Sequence, residues 1–304
     1  MDSSTPLLGA IEAGGTKYVC AIARDGDHRE AKLLNESRFP TREPAETLAE
    51  AVEFFRKASA EYGPIASLGI GTFGPARINR DAEDYGSILT TPKPGWAGYN
   101  VVEHLRADLG SELPIAFETD VNAAALGEAV AGAAVGLSYV GYITIGTGIG
   151  AGFLVNGEPL HGYLHPEVGH ILMPDYDSEF GKDTNVCPFH VSCLEGRGSG
   201  PSIETRWGKP GHELESEHPA WKLEARYLAA GCVTLTACWS PERIIIGGGV
   251  SQQDGLIEKI RSEFETLAGG YWSLPPLNDY LVRPKLDQHA GIVGGLELAS
   301  RQLH

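Results

Sequence analysis

The chain has 304 residues, 42% hydrophobic and 21% charged, enough for about two domains that each bury a core. Its formal net charge of −16 argues against nonspecific binding to nucleic acid or to anionic membranes. A polyphosphate ligand stays open, because Mg²⁺ and backbone N–H groups offset charge locally.

Residues 1–8 lack the basic start and long apolar run of a signal peptide, so the expected location is cytoplasmic. Apolar runs at 7–11 and 18–23 predict two strands joined by a glycine turn. A helix is expected over 43–62, with Thr41 and Pro44 at its start and Leu48, Val52 and Phe55 at helical spacing. A strand at 65–70 runs into Gly71-Thr72-Phe73-Gly74-Pro75. Turn formers occupy 79–99, followed by a short helix at 101–109, a strand at 114–117 and an alanine-rich helix at 122–134.

The stretch 129–155 carries no charge and is long enough to span a bilayer, but seven glycines interrupt it. Alternation in Tyr142-Ile143-Thr144-Ile145 reads instead as the end of a helix followed by a buried hairpin at 140–154. Residues 156–211 show little periodicity. A helix at 220–240, a strand at 243–246, Gly247-Gly248-Gly249, a helix at 256–267 and a last helix at 291–302 complete the chain. A strand, a glycine turn and a strand recur in each half, which predicts two similar α/β lobes facing a cleft. The expected division is 1–117, to which the helix in 290–304 returns, and 118–289.

Three glycine clusters follow apolar strands: Gly14-Gly15-Thr16-Lys17, Gly146-Thr147-Gly148-Ile149-Gly150 and Gly247-Gly248-Gly249. Glycine lets backbone N–H groups approach phosphate oxygens, and Thr16 or Thr147 adds a hydroxyl; a tight turn by itself also calls for glycine. Gly69, Gly71 and Gly74 fit G-x-G-x-x-G, but Pro75 follows and no helix opens there. Gly146-x-Gly148-x-x-Ala151 continues as a strand, and no P-loop motif occurs. Asp120, between a strand and a helix, suits either a general base at a strand end or a helix N-cap; the local pattern favours the cap.

An odd count of five cysteines argues against a disulfide framework. Cys20, Cys232 and Cys238 lie in apolar patterns and are expected to be inert core thiols. Cys187, His190 and Cys193 are each three residues apart, and His170 lies seventeen before Cys187. Two thiolates and two imidazoles close a tetrahedral Zn²⁺ site, which with four protein ligands would be structural and pin the 156–200 loop. His161, His165 and Glu195 compete as ligands; otherwise these are unrelated thiols and core histidines.

Taken in order, Glu12-Ala13-Gly14-Gly15-Thr16-Lys17, Gly71 to Pro75, Thr91-Pro92-Lys93-Pro94-Gly95-Trp96, Glu118-Thr119-Asp120-Val121-Asn122, the Gly146 turn, Glu167-Val168-Gly169-His170 and Gly247-Gly248-Gly249-Val250 resemble the ROK group (repressors, open reading frames and kinases). The resemblance covers essentially the whole chain. It implies a two-lobed, actin-like (ribonuclease-H-like) α/β fold with nucleotide and sugar in the cleft, ATP with Mg²⁺, a structural Zn²⁺ and a homodimer. It reverses the local reading of Asp120, making it the catalytic base. By the same resemblance Gly14, Gly15, Thr16, Lys17, Thr147, Gly148, Gly247, Gly248 and Gly249 hold the nucleotide. Gly74, Thr119, Asp120, Glu167, His170 and Glu195 hold the sugar, and His170, Cys187, His190 and Cys193 hold zinc. Trp96 either stacks on the sugar or packs in the core.

Glu12 and Thr119 replace the Asp and Asn of many members, and both changes look like the bacterial fructokinase branch. Fructose 6-phosphorylation is therefore the expected activity, with mannose, glucose and N-acetylmannosamine as alternatives. Repressors of the group carry a helix-turn-helix domain ahead of the first glycine motif. That motif begins here at residue 12, so a sugar-responsive regulator is disfavoured, as is a catalytically quiet sugar-binding protein.

Overall fold

A computed structural model of the chain describes residues 5–91 and 93–304. Pro92 of the Thr91–Trp96 motif, and half of the 1–8 start, lie outside the described residues. The chain folds into two compact units, Met1–Gly136 with Glu158–His165 and Lys285–His304, and Leu137–Gly157 with Pro166–Pro284.

The first unit holds β1 (Leu7–Ala13), β2 (Lys17–Arg24), β3 (Asn35–Pro40), α1 (Pro44–Tyr62), β4 (Ile65–Thr72), α2 (Val101–Leu109), β5 (Ile115–Thr119) and α3 (Asp120–Ala131). Its sheet runs β3-β2-β1-β4-β5. β1 pairs antiparallel with β2, and parallel with β4, which pairs parallel with β5. Alternation along each strand splits the core. Ile11, Tyr18, Cys20, Leu68 and Ile70 pack with α1 and α2 on one face, and Leu8, Ala10, Val19 and Ala21 face Ile292 and Leu296 on the other. β3 is a polar edge strand, Asn-Glu-Ser-Arg-Phe-Pro, with only Phe39 buried; pairing with β2 builds it where its own sequence shows no strand pattern.

The second unit holds β6 (Val140–Ile145) and β7 (Ile149–Val155), the expected hairpin. After β8 (Glu158–Pro159), which belongs to the first unit, come α4 (Leu194–Gly198), α5 (Gly200–Trp207), α6 (Ala220–Trp239), β9 (Arg243–Gly247), α7 (Leu256–Ala268), α8 (Leu277–Tyr280) and β10 (Leu281–Val282). Within this unit the strands run β10-β9-β6-β7, with β9 parallel to β6. No helix among the described residues is long and apolar enough to cross a membrane.

α9 (Ala290–Ser300) closes the first unit. It crosses α3 almost backbone to backbone: a Cβ on Gly294 would lie 1.6 Å from the Ala123 carbonyl oxygen, and one on Gly127 would lie 2.1 Å from that of Ala290. That close crossing places α3 in the first unit, beyond the sequence division at 117. The α/β class is as the sequence predicts.

Two side chains are settled by burial. Trp96 is fully buried; its indole Nε1–H donates to the Arg42 carbonyl at 2.8 Å, and its ring lies 5.4 Å from Phe73 and 5.7 Å from Tyr18. It is a core residue. Cys20 and Cys232 are buried as expected, but Cys238 is exposed. Six residues advance a helix by about 600°, so Cys238 points well away from the buried direction of Cys232 on α6.

Candidate functional site

In the first unit, parallel pairing aligns the carboxyl ends of three strands. Ala13 of β1 is in register with Thr72 of β4, and Thr72 with Thr119 of β5. The three turns that follow carry Gly14 to Lys17, Gly74 with its cis bond to Pro75, and Asp120. Ligands of such sheets bind outside the carboxyl ends of the strands.

The β1–β2 turn is closed by the Gly14 N–H on the Lys17 carbonyl at 2.9 Å and held by Thr41, whose hydroxyl donates to the Gly14 carbonyl at 2.7 Å. Gly15, Thr16 and Lys17 are exposed. Lys93 hydrogen-bonds the Gly15 carbonyl through its ammonium group. Burial raises the Glu12 carboxyl above its ordinary 4.5, opposed by the charges of Lys17 and Arg38.

Asp120 is not the cap of α3. Thr119 takes that position, its Oγ1 accepting the Asn122 N–H at 3.2 Å, and Asp120 is the first helical residue. The Asp120 carboxylate is half-buried, with one oxygen on the Val121 N–H at 2.8 Å. Thr119 is 3% exposed. The Asp120 carboxylate thus stands at a strand end, and the capping duty that its local sequence suggests belongs to Thr119.

In the second unit, the β6–β7 turn is closed by the Gly146 N–H on the Gly148 carbonyl at 2.9 Å. Glu195 on α4 accepts the Ile149 N–H at 2.9 Å, where a Cβ on Gly148 would lie 2.6 Å from its carboxylate. After β9, Gly248 has φ +90° and lies against the Ile145 backbone. The two turns contribute Gly146, Thr147 and Gly249 to the wall of a cavity of about 770 Å³, with Pro201, Trp221 and Val250 among its apolar lining. Its size and mixed lining suit a small organic ligand.

Glu167 precedes the turn Val168–His170, and the His170 N–H at its end closes it on the Glu167 carbonyl at 3.0 Å. Gly169 lies against the Ile149 carbonyl, which sets Glu167 near Glu195. Surrounding protein, and then the Glu195 carboxylate, raise the Glu167 pKa.

A bridge between Leu172 and Cys193, with the Leu194 N–H on the Ile171 carbonyl at 3.0 Å, joins the two ends of the cysteine loop. One donor atom from each of His170, Cys187, His190 and Cys193 falls within a 4.8 Å cluster. Cys193 Sγ is 3.8 Å from His170 Nδ1, and Cys187 Sγ 3.4 Å from His190 Nδ1. Zn–S of about 2.3 Å and Zn–N of about 2.0–2.1 Å at a tetrahedral angle require about 3.5 Å between such atoms, so the donor set fits zinc. Burial, and then the neighbouring Cys187, push the Cys193 thiol up to about 11, although the Gly196 N–H on its sulfur opposes this. A bound cation reverses that balance and favours the thiolate.

The competing ligands are elsewhere. His165 accepts the Ala76 N–H at 3.3 Å and His161 donates to Glu118, both in the first unit, while Glu195 holds Ile149. Buried Glu118 and Asn122 and the partly exposed His161 form a hydrogen-bond network beside Asp120 that residue spacing does not reveal, because His161 is 43 positions from Glu118.

The ROK family model matches residues 8–302. The fructokinase of Zymomonas mobilis is 41% identical over 305 residues, 98% of each chain, and that of Pediococcus pentosaceus 39% identical over 297 residues, 98% of this chain and 99% of the relative. Among solved structures, the ROK hexokinase of Thermus thermophilus superposes with a TM-score of 0.79 at 25% identity, covering 98% of this chain and 99% of the other. The ROK glucokinase of Streptomyces griseus, in complex with glucose and AMPPNP, superposes with a TM-score of 0.72 at 24% identity, covering 97% and 99%, and supports the fold.

Proposed function

The chain belongs to the ROK family, and on that premise we propose that it is an ATP-dependent fructokinase forming fructose 6-phosphate. The observation that carries this reading is its 39–41% identity, over nearly the whole of both chains, to proteins named fructokinase. The register that brings Gly14 to Lys17 and Asp120 to one end of the first sheet supports it independently.

In this reading the Asp120 carboxylate accepts the proton of the C6 hydroxyl. That oxygen bonds to the γ-phosphorus while the bond from phosphorus to the ADP oxygen breaks, and the electron pair leaves with ADP. Gly15, Thr16 and Lys17, on the turn that Gly14 closes, present N–H, hydroxyl and ammonium donors to phosphate oxygens. Thr147, Gly148, Gly247, Gly248 and Gly249 hold the nucleotide at the cavity of the second unit; its volume supports this. Mg²⁺ bound with ATP supplies neutralisation of the phosphate charge.

Glu167, His170 and Glu195, with Gly74 and Thr119, hydrogen-bond the sugar hydroxyls. Thr119 has spent an acceptor lone pair as the helix cap but keeps its proton to donate. His170, Cys187, His190 and Cys193 would hold a structural Zn²⁺, whose contribution is to cross-link the 156–200 loop beside Glu167 and Glu195. Binding through Nδ1 leaves the other His170 nitrogen for the sugar. The resemblance also supports a homodimer, which light scattering measures, and the use of ATP supports a cytoplasmic location.

The deciding experiment is an ATP-consumption assay over fructose, mannose, glucose and N-acetylmannosamine. The expected result is the highest kcat/KM with fructose. Absence of turnover with every hexose overturns the reading.

A further inference from the structure

The turn that presents Asp120 is held by a side chain that the chemistry above does not use. Glu118, in β5, is only 3% exposed. Its Oε1 accepts the Thr119 N–H at 2.8 Å and the Asn122 amide N–H at 2.9 Å. Its Oε2 accepts the Nε2–H of His161 at 2.5 Å. Asn122 is itself 1% exposed, so one carboxylate ties together the residues on both sides of Asp120.

A buried carboxylate requires hydrogen bonds and a countercharge to stay ionised. The Thr119 and Asn122 N–H groups supply the first, and His161 supplies the second. The His161 side chain is 42% exposed, at the wall of a cavity of about 260 Å³ that also carries Arg77, Asn79 and Arg80. The hydrogen bond to Glu118 raises the His161 pKa above 6.5, against burial and the charge of Arg80. Of the other titratable groups beside the pair, Arg77 is paired with Asp84, and the Tyr85 hydroxyl accepts the Phe117 N–H while sensing the Glu118 charge.

We propose that Glu118 and His161 are positioning residues for Asp120: the pair fixes the first turn of α3, and with it the direction of the Asp120 carboxylate, without touching sugar or nucleotide. The geometry favours this over a purely structural role. The partners of Glu118 bracket the base rather than the core of the unit, and its third contact is made by a partly exposed side chain whose loss leaves little cavity. A base misdirected by about 1 Å loses about 10²-fold in rate, while ground-state binding of substrate is unaffected. This inference rests on Asp120 being the base.

The test is a kinetic series on the whole enzyme. His161→Ala is expected to lower kcat by about 10- to 100-fold, with KM for fructose and for ATP within about twofold of wild type and Tm shifted by no more than about 3 °C. His161→Gln, whose amide still donates to Oε2, restores most of the kcat. Glu118→Gln provides a signature that a structural role does not produce. Its amide N–H must donate to the His161 ring, which accepts only when neutral, so the ratio of variant to wild-type kcat rises with pH through the imidazole titration. Glu118→Ala stays low at every pH.

Asp120→Asn is measured in the same series. With Asp120→Asn inactive, three results overturn the positioning role and leave the base assignment standing: a wild-type kcat in His161→Ala, no recovery in His161→Gln, or a kcat loss that only follows a fall in Tm. Turnover retained by Asp120→Asn overturns both.

Discussion

Replacing neighbouring glycines by alanine separates a glycine required by the chain from one required by a ligand. Gly248 and Gly249 are adjacent but differ in every respect that matters to a methyl group. Gly248 has φ +90°, and a Cβ there would lie 2.3 Å from the Ile145 carbonyl oxygen and 2.4 Å from its nitrogen. Gly249 has φ −61° and ψ −37°, with no protein atom within 4 Å of a Cβ. For Gly248→Ala the left-handed backbone costs about 1–2 kcal/mol and the overlap about 1–3 more, roughly 2–5 kcal/mol together. Gly249→Ala carries neither penalty, and reduced freedom of the unfolded chain contributes about 0.4–1 kcal/mol of stability. At about 2–4 °C per kcal/mol, Tm should fall by at least about 4 °C in the first variant and stay level or rise by about 1–4 °C in the second.

If the cavity of about 770 Å³ takes ATP, the methyl group of Gly249→Ala intrudes on the nucleotide instead. KM for ATP should then rise by tenfold or more, equivalent to about 1.4 kcal/mol, while KM for fructose stays within about twofold. Thermal unfolding with and without a non-hydrolysable ATP analogue, together with steady-state kinetics in each substrate, reads both effects. A wild-type KM for ATP in Gly249→Ala refutes the placement of the nucleotide. A Gly248→Ala protein of normal Tm refutes the steric reasoning.

Three further outcomes are expected. Asp120→Asn should fold with a wild-type Tm and lose roughly 10²–10⁴ in turnover, measured by ATP consumption at saturating fructose. Purified protein should contain about one zinc per chain by metal analysis, and removing it, or Cys193→Ser, should raise KM for fructose before KM for ATP; zinc-free protein with both constants intact refutes the site. Glu297 supplies a pH test. Burial raises its pKa, but hydrogen bonds from His28 and Arg301 and the charge of Arg29 outweigh that and leave it below 4.5. Its stabilisation is therefore present above the unfolded pKa of about 4.5 and lost as pH falls through the lower folded value. Glu297→Ala should be less stable than wild type by about 3–5 kcal/mol at neutral pH, with the gap narrowing in acid; a gap independent of pH refutes the assignment.

By itself the sequence determined the local architecture. Glycine after an apolar strand, helical spacing in 43–62 and alternation in 140–154 are short-range signals, and the strands and helices follow them closely. The donors Cys187, His190 and Cys193 were legible for the same reason, since three ligand types in one short loop need no tertiary knowledge.

The tertiary structure decided what depends on partners distant in the chain. β3 exists because β2 offers it a ladder, and Trp96 is a core residue because Tyr18 and Phe73 enclose it. His170 rather than His161 or His165 joins the cysteines, because the Leu172–Cys193 bridge brings its segment alongside them. Asp120 looked locally like a helix cap, and only the hydrogen bond from Asn122 to Thr119 shows that another residue has taken that duty. Spacing along a chain specifies which groups lie within a turn or two of each other. Which of two adjacent oxygens is already bonded, and what stands behind it, is set by contacts such as Glu118 to His161 that close only when the chain packs.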